Sequence, residues 1–181
     1  MTSAGIVYSA AQNAGDLNIV AVGWYPGAGV GVSSVTDSKG NSYALAVGPT
    51  VSSGNATESI YYAKNIAAAG ANTVTVNFSG SVPEADIPIL EYSGLNTTNP
   101  LDVAVGAAGS GTVASSGSVT TTNANDLLVG ANIIVSSFAA VGTGYTASII
   151  RRLALPCGRR ATVRKIIPTS CWAPTSRVTC R

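Results

Sequence analysis

The side chains able to do chemistry are few in this chain of 181 residues, which holds no histidine, eight carboxylates and three cysteines. Without histidine there is no Ser-His-Asp or Cys-His nucleophile, no His-ligated zinc, and no use of the commonest general base. A carboxylate pair remains, drawn from Glu58, Glu84, Asp86 and Glu91. Two such groups about 5–9 Å apart hydrolyse glycosidic bonds. Glu84 and Asp86 are two apart and share one face of a strand, while Glu58 and Glu91 sit in separate strands. Carboxylates at strand ends are more often simply solvated, and no nucleophile or metal motif accompanies these, so the expectation is a non-catalytic chain.

Two binding readings are also open. Asp37 with Asn41, and Asp102 if it lies nearby, offer oxygen ligands for a structural calcium. The Asp37–Asn41 stretch is too short for an EF-hand loop, and Asx-turn capping accounts for Asp37 equally well. No other cofactor is expected. Trp24, Tyr25, Tyr61, Tyr62 and Tyr92 are candidates for a sugar-stacking platform. Neighbours on a strand face opposite sides, so at most one of each adjacent pair is buried, and the competing reading is that these rings fill the core. The triplets starting at Asn55, Asn77 and Asn96 fit the N-glycosylation pattern but arise by chance in a Thr/Ser/Asn-rich chain.

The elements that must position these groups read as strands. Leu17 to Tyr25 is apolar on both faces, which fits a central strand covered on both sides. Gly31–Thr36 and Tyr43–Val47 flank Asp37-Ser38-Lys39-Gly40-Asn41, a tight-hairpin signal in which Gly40 supplies the positive φ. Glu58–Lys64 and Asn72–Ser79 alternate, the latter as a strand with one face buried. Asp86–Tyr92 follows, with Pro88 marking an edge or bulge. Ser118–Thr122, Asp126–Ser136 and Gly144–Ile150 complete the set, and residues 105–125 read as a long Gly/Ser/Ala/Thr loop. Eight or nine strands with no convincing helix predict a two-sheet antiparallel β-sandwich, jelly-roll-like or Ig-like. The uncharged stretch 127–150 is interrupted too often by Gly, Asn, Ser and Thr for a transmembrane helix.

Charge divides the chain. Residues 1–150 hold two basic and eight acidic side chains, a net of −6, whereas residues 151–181 hold eight basic and no acidic ones, a net of +8. All three cysteines, Cys157, Cys171 and Cys180, fall in that second part. Three readings compete for it: a basic arm for an anionic partner such as nucleic acid, a disulfide-pinned extension with one thiol left over, or an out-of-frame translation. The break in every local habit of the preceding chain favours the last. The expectation is thus a β-sandwich over 1–150, truncated at its closing strands, and a frameshifted or disordered tail over 151–181.

A resemblance sharpens this. Val35-Thr36-Asp37-Ser38-Lys39-Gly40-Asn41-Ser42-Tyr43, Ser59-Ile60-Tyr61-Tyr62-Ala63-Lys64-Asn65-Ile66, Ile89-Leu90-Glu91-Tyr92-Ser93-Gly94-Leu95 and Asn99-Pro100-Leu101-Asp102-Val103 resemble a group of secreted β-sandwich proteins of soil and environmental bacteria. The likeness spans about residues 12–150 and brings no catalytic residues. It implies an exported or surface module, often beside Ig-like domains, whose relatives continue with acidic strands and an aromatic-rich final strand. Met1-Thr2-Ser3-Ala4-Gly5 has neither the basic start nor the apolar core of a signal peptide, so an extracellular location implies that the start lies on a larger product. Together these readings predict a non-catalytic extracellular module for adhesion or glycan binding. Extracellular polysaccharide or other surface domains would be its partners; nucleic acid would be one only through a genuine tail, and no membrane span is expected. The rivals are a glycan-active hydrolase and a spacer without ligand.

Overall fold

The computed structural model describes residues 1–25, 29–52, 56–110, 113–136, 160–165 and 176–180. Twelve strands and no helix occur among them: β1 (Ser3–Val7), β2 (Leu17–Tyr25), β3 (Val32–Asp37), β4 (Ala44–Val51), β5 (Thr57–Ala63), β6 (Thr73–Phe78), β7 (Glu84–Asp86), β8 (Ile89–Tyr92), β9 (Leu101–Gly106), β10 (Leu127–Ser136), β11 (Arg160–Lys165) and β12 (Ser176–Cys180). They pair in three ladders, β1-β6-β3, β4-β5-β2-β7 with β8 also on β2, and β11-β10-β12-β9. Every pairing between these strands is antiparallel. No helix among the described residues is long and apolar enough to cross a membrane.

The architecture turns on β2, which is buried along almost its whole length, as its two apolar faces imply. Leu17, Ile19 and Ala21 pack with Ile60, Val129, Ala131 and Cys180, on the side of the β10-containing ladder. Val20, Val22 and Trp24 pack with Val35, Val74, Val76 and Phe78, on the side of the β1-β6-β3 ladder. One strand thereby feeds two hydrophobic clusters through its period-2 alternation. Each fully buried aliphatic side chain contributes about 1.5–3 kcal/mol of transfer free energy. β6 shows the one-sided version, with Val74, Val76 and Phe78 buried and Thr73, Thr75 and Asn77 half-buried.

Three sequence expectations need correction. The Asp37–Asn41 turn has Gly40 at φ 76°, as expected. It does not close a hairpin, however, because β3 lies in one ladder and β4 in another. The Asp37 side chain caps the turn and ties it to Asn72, which steers the chain between ladders. The run 86–92 is cut at Pro88 into β7 and β8, and the carbonyl of Pro88 accepts the Ala21 amide at 3.1 Å. Ser118–Thr122 is not a strand. The Thr122 amide donates to Asp102 Oδ2 at 2.7 Å, and its hydroxyl donates to Oδ1, so this loop is held by a side chain rather than a ladder. Beyond the expected strands, Arg160–Lys165 and Ser176–Cys180 pair with β10, and β12 pairs with β9 in turn. Backbone pairing demands only extended chain, and the register sets Val163 opposite Ala131 and Val178 opposite Val129. The expected strand at Gly144–Ile150, and Cys157 and Cys171, lie outside the described residues.

Candidate functional site

Among the described residues the densest polar constellation is a closed ring of five side chains. Gln12 Nε2 donates to Asn18 Oδ1 at 2.7 Å, and Asn18 Nδ2 donates to the Tyr43 hydroxyl at 3.2 Å. The Tyr43 hydroxyl donates to Asp37 Oδ2 at 3.1 Å. Asn72 Nδ2 closes the circuit by donating to the same Asp37 oxygen at 2.9 Å and to Gln12 Oε1 at 2.7 Å. Gln12, Asn18 and Asn72 are buried, the two asparagines completely. The ring joins the β1–β2 connection, the start of β2, the end of β3, the β3–β4 turn and the β5–β6 connection. Ser38 adds a bond from Oγ to Asn72 Oδ1 at 3.1 Å.

Asp37 is the anionic hub of this ring. Its Oδ1 accepts the Lys39 and Asn41 amides, both at 3.0 Å, and its Oδ2 also accepts Asn41 Nδ2 at 2.7 Å. Burial raises its pKa, but the bonds from Asn72, Asn41 and the two amides outweigh that and hold the carboxyl below its ordinary 3.8. Burial, chiefly, pushes the Tyr43 phenol up, with the Asp37 charge adding to it. Both oxygens are thus committed to protein donors, so a calcium ion would have to displace them. Asp102 lies in β9, in a different ladder, bonded to Thr122. Among the described residues no group of three or more His, Cys, Asp or Glu side chains is placed to hold a metal.

The carboxylates separate into two places. Glu58 in β5 and Asp86 in β7 are both register partners of Gly23 in β2, one on either side. With strands about 4.7–4.9 Å apart, the two stand about 10 Å apart at Cα, on one face of the sheet, with no side chain between them. Ile133 of β10 covers the row: its Cδ1 comes within 3.3 Å of where a Cβ on Gly23 would sit. Glu58 and Asp86 are only 3% and 7% exposed. Glu84 is opposite Tyr25, and Glu91, in β8, is opposite Asn18 of β2. Glu91 Oε1 accepts the Asn13 amide at 3.2 Å. Burial raises the Glu91 pKa, opposed by the Asn13 amide and Gln12 and reinforced by neighbouring Asp16.

The aromatic candidates do not share a face. Trp24 is buried in one cluster, its ring centroid 5.9 Å from that of Phe78 and its indole N–H donated to the Val30 carbonyl at 2.9 Å. Tyr61 packs against that cluster, while Tyr62 and Tyr92 pack against the other. Tyr25, at the end of β2, is half-buried. Four of the five rings therefore line two interiors. Sequence reasoning missed Gln12, Asn18 and Asn72 as ring members; the one signal for them is an amide breaking an apolar run, as Asn18 does between Leu17 and Ile19.

In comparisons with known proteins, no family model matches the chain, and no curated protein or solved structure matches it.

Proposed function

We propose that this chain is a non-catalytic extracellular module of an exported bacterial protein, working in adhesion or glycan binding through polar loops and main-chain groups rather than a stacking platform. One observation supports this most: the leading metal-ligand candidate and the largest stacking candidate, Asp37 and Trp24, are engaged in the scaffold. Asp37 accepts five hydrogen bonds from its own chain, and Trp24 spends its N–H on Val30. We read the fold as a sandwich of jelly-roll or Ig-like kind, elaborated so that β2 is covered on both faces. The test is a glycan array with the whole chain, alongside a substitution series at Tyr25, Tyr61 and Tyr62. Binding without turnover that survives these substitutions supports the reading; binding abolished by Tyr25→Ala, at the half-buried ring outside both clusters, restores a stacking site.

A second reading, glycan hydrolysis, draws support from a specific feature, the Glu58–Gly23–Asp86 row. Its carboxylates lie under Ile133, so hydrolysis would require β10 to move aside. Product release abolished by Glu58→Gln or Asp86→Asn would establish it.

A further inference from the structure

Folded proteins guard their sheet edges with charges, prolines, bulges or very short strands, because an open edge pairs with any extended chain. Among the described strands the edges are guarded in these ways except at β1. On the other side of the same ladder, β3 is bulged between Val32 and Ser34, and Ser33 Oγ bonds back to the Asn77 carbonyl. Strand β4 carries Pro49 and two register shifts. β7 and β8 are three and four residues long and are separated at Pro88. β9 carries Asp102 and a register shift, and β11 includes Arg160, Arg164 and Lys165. Strand β1, Ser3-Ala4-Gly5-Ile6-Val7, has no charge, no proline and an unbroken register against β6.

The register also says which groups of β1 face outward. The Tyr8 amide donates to the Asn72 carbonyl, and the Phe78 amide donates to the Thr2 carbonyl. In an antiparallel pair such bonded positions alternate. The even residues of β1 therefore bond to β6, and Ser3, Gly5 and Val7 turn their N–H and C=O groups away from it. These three are also the exposed residues of the strand, with Val7 59% exposed. No described strand pairs with β1 on that side.

We propose that β1 is a self-association edge, at which two copies of this chain pair β1 to β1, antiparallel, about a two-fold axis at Gly5. That axis sets Ser3 opposite Val7 of the second copy and Gly5 opposite Gly5. Each of these opposed pairs is of the hydrogen-bonded kind, so every outward N–H meets an outward C=O. Ala4 and Ile6, which pack on the Trp24-containing cluster, continue on one face across the joint. Charge fits as well. The copies carry a net of −6 over residues 1–150, yet neither β1 nor β6 has an ionisable side chain, so no like charges oppose at the seam. The joined ladder is a six-stranded sheet, β3-β6-β1-β1-β6-β3.

The test is sedimentation velocity of the whole chain over a concentration series. The wild type should show a monomer–dimer equilibrium. Ser3→Lys with Val7→Lys should weaken it about tenfold or more, since each lysine opposes another across the seam while β1 still bonds to β6. Ser3→Glu with Val7→Glu should do the same alone, and an equal mixture of the two double variants should associate again. Melting temperatures near that of wild type establish that both variants fold. A monomer at every concentration, a dimer indifferent to the lysines, or folded variants that fail to associate on mixing would each overturn the proposal.

Discussion

Replacing Asp37 by asparagine tests whether the polar ring is structural. The substitution keeps shape but exchanges one acceptor oxygen for an amide that only donates. With the remaining oxygen facing the Lys39 and Asn41 amides, the new NH2 meets Asn72 Nδ2 and Asn41 Nδ2, which are donors themselves. Tyr43 can rotate its hydroxyl and accept, but Asn72 is fully buried and cannot turn to water. Hydrogen bonds to charged groups contribute about 1.5–3 kcal/mol, and a stranded buried donor costs about 1–3 kcal/mol. Asn41 is partly exposed and recovers much of its loss in solvent, so the net destabilisation is about 1.5–3 kcal/mol. For a chain of this length that lowers Tm by about 3–12 °C. Urea unfolding at neutral pH measures it directly. The sign with pH is fixed too. A carboxylate held below its ordinary pKa adds stability that is present above the unfolded value and lost as pH falls through the folded one. The gap between wild type and variant should therefore close below about pH 4. A loss under about 0.5 kcal/mol, the size of an ordinary surface change, would refute the structural role.

Other predictions follow from the same packing. Gly48→Ala puts a Cβ 2.6 Å from Ser59 Oγ and 2.7 Å from the Glu58 carbonyl, at a residue with φ of 116°, so it should cost about 3 kcal/mol or more in a melt; retention of wild-type stability would show that β4 and β5 are not held this closely. Trp24→Ala should cost about 3–5 kcal/mol by chemical denaturation, whereas a near-neutral result would place that ring outside the core. Burial, with Asp126 adding to it, pushes the Cys180 thiol up to about 12, so in a Cys157→Ser, Cys171→Ser background a thiol reagent should label it only after unfolding. Asp16→Asn should lower the raised Glu91 pKa toward 4.5, read by NMR titration; an unchanged pKa would remove Asp16 as a contributor.

Periodicity made the scaffold legible, and it did so best where burial is one- or two-sided along a whole strand, as in β2 and β6. It failed where the signal is local. Strand β1 is small and weakly apolar, and it forms because β6 offers it a ladder. The Asp37 turn carries hairpin residues, yet its side-chain bonds to Asn72 send the chain to another ladder. The polar ring was visible only at its hub: Asp37 with Asn41 beside it announces a cap, but Gln12, Asn18 and Asn72 come from three separate stretches that only tertiary pairing assembles. The aromatic residues were visible as types, while the cluster each one entered depended on strand parity and register.

The most direct test of the central claim, that the chain is a non-catalytic module, is a turnover measurement. The whole chain is incubated with a panel of extracellular polysaccharides, and released reducing ends are followed beside Glu58→Gln and Asp86→Asn variants. The account predicts release indistinguishable from a heat-denatured control for all three proteins. Release by wild type that either substitution abolishes would contradict it and make the Glu58–Gly23–Asp86 row an active site.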